Sequence, residues 1–189
     1  MIMSSHALPA TYTSGHHSSG FTLIELMITL AVFAIVMFAA VPSLTSFMSR
    51  SELTAETNRF MGALVLARTE AVKRNTHVAL CPSNDQTSCN STSWSDGWIT
   101  FQDTNGDGTL ASDNSEEIIK YADAASNVKI YPDTNFSKVI RYKTDGNINN
   151  SPGEIVICSE QAPAEVNARE IEISSGGRPS ITATQKTNC

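Results

Sequence analysis

Three regimes of hydrophobic patterning divide the chain. From Phe21 to Met48 the only ionisable side chain is Glu25, and the first twenty-one residues of this run would rise roughly 31 Å as a helix, enough to cross a bilayer. A carboxylate in hydrocarbon costs roughly 3 kcal/mol on insertion scales, so Glu25 needs a partner or a polar niche and is a functional candidate. Over 43–75 the pattern stays helical, with Leu53, Phe60, Leu64, Ala67 and Ala71 on one face expected to pack against a sheet. Glu56 with Arg59 and Glu70 with Arg74 stand at helical spacing on the opposite side, which reads as a solvated face.

From Thr76 the period changes to that of strands, expected over 76–81, 97–102, 116–121, 127–131, 138–143, 154–159, 169–174 and 180–184. Several of them alternate, as Ile171 and Ile173 do against Glu170 and Glu172, so one face of each sheet is wet. Turn chemistry falls at Asn105-Gly106, Asp107-Gly108, Asp145-Gly146 and Pro152-Gly153. The fold class is therefore α+β, a long N-terminal helix packed on an antiparallel β-rich globular head. Its parts are a segment 1–20, a transmembrane half-helix 21–41, an amphipathic half-helix 42–75 and a head 76–189.

The stretch Gly20-Phe21-Thr22-Leu23-Ile24-Glu25-Leu26 resembles the processing site of type IV pilins and type II secretion pseudopilins. The resemblance implies that a prepilin peptidase cuts after Gly20 and that the new N-terminal Phe21 is methylated. It further implies that Glu25 meets the charged N-terminus of a neighbouring subunit during assembly, which supplies the partner demanded above. Pro42 matches a position of that family at which the helix loses one hydrogen bond and loosens or kinks. A plain membrane anchor and a cleaved secretory signal are the competing readings; the run has no A-x-A pair and is too long for an ordinary signal core. The leader departs from the family pattern, since it holds His6, His16 and His17 but no Lys or Arg. A start at Met3, or partly protonated histidines, would account for that.

Composition narrows what the rest does. Removing the leader leaves about 169 residues, and one globular head of ordinary domain size beyond the membrane half-helix. Only 17% of residues are charged and the formal net charge is −6, which suits an exported β-rich surface and argues against generic nucleic-acid affinity. The four cysteines, Cys81, Cys89, Cys158 and Cys189, all lie beyond the apolar run. In an oxidising compartment they read as two disulfides, with three connectivities open in principle. Cys81 with Cys89 and Cys158 with Cys189 is favoured, because the first closes a short polar loop and the second pins the C-terminus to an inner strand. Zinc is the rival reading, set back by the absence of close C-x-x-C spacing and by His77 being the only histidine after the leader.

A second resemblance rests on Gly97-Trp98-Ile99-Thr100-Phe101-Gln102-Asp103-Thr104-Asn105-Gly106-Asp107-Gly108 with Glu116-Glu117-Ile118-Ile119, which is similar to the minor-pilin and H-type pseudopilin branch often called GspH/FimT. It implies a head of two packed sheets resting on the second half of the helix. It also implies a low-copy subunit that helps initiate or cap a filament, with other minor and major pilins or pseudopilins as partners. The place implied is the inner membrane, single-pass with the head in the periplasm, and afterwards a filament.

Three further chemistries are weighed against bland alternatives. Asp103, Asn105 and Asp107 before Gly108 match the opening of an EF-hand loop, but position twelve is Asn114 in place of a bidentate Glu, so an Asx-rich turn is the favoured reading over calcium. Gly177-Arg178-Pro179-Ser180 stands where DNA-uptake members of the branch carry Gly-Arg-x-Arg. Arg178 with Lys186 therefore makes a pilus-borne DNA receptor the alternative function, though one phosphate contact gives only about one unit of salt slope. His77 near Cys81 is the nearest thing to a nucleophile pair, and no converging catalytic group or cofactor motif accompanies it, so no enzyme activity is expected.

Overall fold

The computed structural model describes residues 20–113, 115–159 and 168–182; all of the expected leader but Gly20 lies outside them. The chain divides into two compact units, Met1–Val41 and Pro42–Cys189. Helix α1 (Leu23–Arg74) begins in the first and continues in the second. The Thr22 hydroxyl accepts the Glu25 N–H at 3.3 Å and its carbonyl the Leu26 N–H at 3.2 Å, so an orphan donor of the helix start is met within the chain. At the far end Asn75 adopts φ 51°. Its N–H donates to Val72 O (3.4 Å) and that of Thr76 to Ala71 O (3.2 Å), a helix stop with asparagine in the place usually held by glycine. α1 is helical through Pro42, whose side chain, like those at 39, 41 and 43, lies outside the described residues.

Eight strands follow: β1 (His77–Pro82), β2 (Trp98–Asp103), β3 (Ile118–Ala122), β4 (Val128–Pro132), β5 (Ile140–Tyr142), β6 (Gly153–Ser159), β7 (Ala168–Ile173) and β8 (Pro179–Thr182). Each falls within an expected stretch or a residue or two from its ends. They form two antiparallel sheets of order β3-β2-β1-β5 and β4-β6-β7-β8. Pro152-Gly153 is a departure, since Gly153 opens β6. A side chain there would collide with the Asp133 carboxylate, which instead accepts the Glu154 N–H at 3.1 Å.

One core joins the helix to both sheets. Leu53, Phe60, Leu64, Ala67 and Ala71 are all fully buried and cluster with Val78 and Leu80 of β1 and with Ile155, Ile157, Ile171 and Ile173 of the second sheet. Phe60 meets Trp94 and Trp98 edge to face, with ring centroids 5.5 and 4.9 Å away. Trp94 donates its indole N–H to Phe136 O at 2.9 Å, so its polar end is satisfied inside the core. Ala79, Cys81, Ile99 and Phe101 form a second cluster on the other face of the first sheet, covered in part by Leu110, Ile118 and Val139. β1 is thus buried on both faces, and its side chains do not alternate between apolar and polar.

The expectation of a solvated face for the helical ion pairs is corrected. Glu56–Arg59 and Glu70–Arg74 do form, but Glu70 is buried and Arg59 lies over the Trp98 ring at 4.7 Å. A helix that contacts two sheets buries a wider arc than one apolar stripe, and the charges border that arc. Arg68 carries the helix into the head as well. Its Nε donates to Gly146 O at 3.0 Å and its Nη2 to Gly176 O at 3.4 Å, tying together the turns that follow β5 and β7.

Candidate functional site

The first turn of α1 is the first candidate. Gly20 is exposed with open space around its Cα, and Phe21 beyond it is 87% exposed, so the bond between them is reachable in this conformation. Thr22-Leu23-Ile24-Glu25 has the spacing of a capping box, and the Thr22 half of that box is formed. The role of Thr22 was legible in that spacing, though the sequence reading gave it none. Glu25 is exposed, and its carboxylate has no hydrogen-bond partner among the described residues.

Around this acid the helix is apolar on every side: Leu23, Ile24, Leu26, Met27, Ile28, Leu30, Val32, Phe33, Ile35, Val36, Met37 and Phe38 are all exposed. A helix with no polar face is covered by lipid or by other protein in use. Among the described residues no helix is long and apolar enough to cross a membrane.

The second candidate is the loop after β2. Asp103 is fully buried; its Oδ2 accepts the Gly108 N–H at 3.1 Å, and its Oδ1 has no partner among the described residues. Asp107 accepts the Thr109 N–H and hydroxyl at 2.7 and 2.6 Å, and Asn105 accepts the Asp107 N–H at 3.0 Å. The buried Glu116 takes the Thr104 and Ala111 N–H groups at 2.8 and 3.0 Å. Most of these oxygens are turned onto the loop's own N–H groups, as an Asx-rich turn requires. Among the described residues no group of three or more His, Cys, Asp or Glu is placed to hold a metal ion; Asn114 lies outside them.

Burial raises the Asp103 carboxyl above its ordinary range, with Glu116 and Asp107 adding to the rise, while the Gly108 hydrogen bond and Arg141 oppose it. A raised acid contributes stability that is complete below its unfolded value, near 3.8, and lost as pH climbs through the folded value. Asp103→Asn is accordingly expected to gain stability relative to the parent as pH goes from about 4 to about 7. Denaturant unfolding at both pH values measures this; a difference that stays constant would contradict it.

The cysteines are placed as follows. Cys81 is bonded to Cys89 with a Cα–Cα distance of 5.5 Å, which removes Cys81 as a nucleophile for His77. Asp85 organises the enclosed loop by accepting the Thr87 and Ser88 N–H groups, each at 2.9 Å, and these bonds with the Ser88 hydroxyl hold its carboxyl far below the ordinary range. Cys158 is also in a disulfide; Cys189 lies outside the described residues, as does Lys186. Arg178 is exposed, and its guanidinium makes no hydrogen bond among the described residues. The neighbouring strand presents Glu172 directly across from Ser180.

The family model described as type II transport protein GspH matches residues 56–177, and that of the prokaryotic N-terminal methylation motif matches residues 15–41. The type IV minor pilin FimU of Pseudomonas aeruginosa shares the fold, with a TM-score of 0.56 and 18% identity over 74% of this chain and 95% of its own. The minor pseudopilin EpsH from the type 2 secretion system of Vibrio cholerae gives a TM-score of 0.49 and 13% identity over 70% of this chain and 97% of its own. No curated protein matches the chain.

Proposed function

Because this chain belongs to the GspH family and carries the N-terminal methylation motif of pilin-like proteins, we propose that it is a minor pilin or pseudopilin that prepilin peptidase cuts between Gly20 and Phe21. Residues 21–41 then hold it in the inner membrane as a single pass with the head in the periplasm, until it is drawn into the start or the cap of a filament. It works by packing against other pilins, and it carries no enzymatic activity. The observation that bears most weight is the all-round apolar first part of α1, up to Met48, whose one charge, Glu25, sits in the first turn five residues after the cleavable glycine.

Cutting that bond creates a cationic amine at Phe21. The helix N-terminus beside it is already positive, so the amine gains most from a carboxylate that its own chain leaves unpaired. Glu25 of a neighbouring subunit has that property, and burial in lipid or filament strengthens the pairing. Thr22 contributes by capping the Glu25 N–H, so that the helix is formed up to the acid.

Mass spectrometry of the native protein should find it beginning at methylated Phe21. Glu25→Ala should leave the protein cut and membrane-bound while its recovery in sheared filaments falls by roughly tenfold or more, since breaking a buried ion pair costs about 3–5 kcal/mol. A native chain still carrying its leader, or normal recovery of the variant, would refute the reading.

A further inference from the structure

The two edges of the first sheet are finished differently. At β5, Asn150 stands where a further strand would: its Oδ1 accepts the Arg141 N–H at 2.9 Å, and its Nδ2 donates to Val139 O and Asn135 O, each at 3.0 Å. A blocked edge of this kind prevents pairing with another chain.

At β3 the edge is open. The Ser83 N–H to Gly97 O bond of 3.0 Å sets the phase of the β1–β2 ladder, so Trp98, Thr100 and Gln102 turn their backbone groups toward β3. The Gln102 N–H to Glu117 O bond of 2.9 Å agrees with that phase. Tyr121 lies opposite Ile99 and therefore points its own N–H and C=O away from β2. No strand pairs with β3 on that side among the described residues.

The open stretch is short and held firm. Arg74 Nη1 donates to Glu117 Oε2, and at the other end Arg59 Nη2 donates to Asp123 O and Gln86 Nε2 to Asp123 Oδ1, all at 2.6 Å. An extra residue at Ile119, where the register shifts, confines the opening to 120–122. Within it Tyr121 is 57% exposed and Lys120 is exposed without a salt bridge among the described residues.

We propose that this edge of β3 receives an extended segment of a neighbouring subunit, which pairs with the backbone of Tyr121 and sets a carboxylate opposite Lys120. Strand addition draws its affinity from main-chain hydrogen bonds and its selectivity from the flanking side chains. A lysine at the start of the opening rejects a copy of β3 aligned on it, because like charges directly opposite are unfavourable, and favours an acidic partner. The inference depends on the proposed function for the nature of the partner. The test reads the edge alone, so its failure leaves the assembly reading standing.

The probe is a short capped peptide, Thr-Glu-Val-Glu-Thr, compared with Thr-Lys-Val-Lys-Thr, added to the chain starting at Phe21 in detergent micelles. Amide exchange at Tyr121 should be fast in the free chain and slowed by roughly tenfold or more at saturating acidic peptide, with little effect from the basic one. Lys120→Glu should reverse the preference without touching the backbone, and Tyr121→Pro, which removes the outward N–H, should abolish binding. A Tyr121 amide already protected in the free chain would overturn the assignment. So would equal response to both peptides, no response to either, or protection that grows with the protein's own concentration, which would place a second copy at the edge.

Discussion

Phe60→Ala is expected to destabilise the head by about 3–5 kcal/mol, the cost of emptying a buried aromatic site that cannot collapse. Phe60 is fully buried and is in edge-to-face contact with both Trp94 and Trp98. The Trp94 indole is fixed by its bond to Phe136 O, and Trp98 is fixed by β2 and by Arg59 above its ring, so neither ring is free to fill the gap. At roughly 2–4 °C per kcal/mol for a domain of this size, the midpoint of thermal unfolding should fall by about 6–20 °C. Phe47→Ala is the control. The same side chain on the same helix is 67% exposed, and its loss should change stability by no more than about 0.5 kcal/mol. Equal effects of the two substitutions would mean that the helix does not seat on the sheets through Phe60.

The helix and the strands were legible because their signals are local. Phe60, Leu64, Ala67 and Ala71 recur at the helical period whatever they pack against, and Ile171 and Ile173 alternate whatever covers them. β1 was expected from the change of period at Thr76, even though both of its faces are buried. What the pattern did not carry was the polar wiring between distant parts. Arg68 reaches carbonyls 78 and 108 residues away, the Ser95 hydroxyl caps the Ile130 N–H 35 residues on, and Asn150 closes the β5 edge. No periodicity encodes such contacts, because each is a single residue answering the backbone of another element. The ion pairs on α1 were placed on the wrong side for a related reason: the width of a buried arc depends on how many sheets a helix touches. Of the site residues, Glu25 was visible as a lone charge in an apolar run. Asp103 was noticed for its spacing, but its burial follows from the loop folding back over the second apolar cluster.

Gly177→Ala should be the most damaging single-methyl change in the C-terminal part of the head, and it decides how the Gly177-Arg178 pair is to be understood. Gly177 has φ +69°, and a Cβ there would lie 2.2 Å from Gly146 O and 3.1 Å from Tyr142 Cε1. The left-handed backbone alone costs an alanine about 1–2 kcal/mol. The clash adds about 1–3 kcal/mol of overpacking, because Gly146 O is backbone and cannot swing aside. Gly146 O is also the acceptor for Arg68, so moving it loosens the helix from both turns. A fall of roughly 4–20 °C in the unfolding midpoint is expected. Arg178→Ala next to it removes an exposed side chain with no hydrogen bond of its own and should change stability by no more than about 0.5 kcal/mol. On this account the glycine serves the docking of two turns, and the arginine is an exposed surface residue. Should Gly177→Ala melt with the parent while Arg178→Ala falls, the two roles are reversed and the pair has to be reconsidered as a binding element.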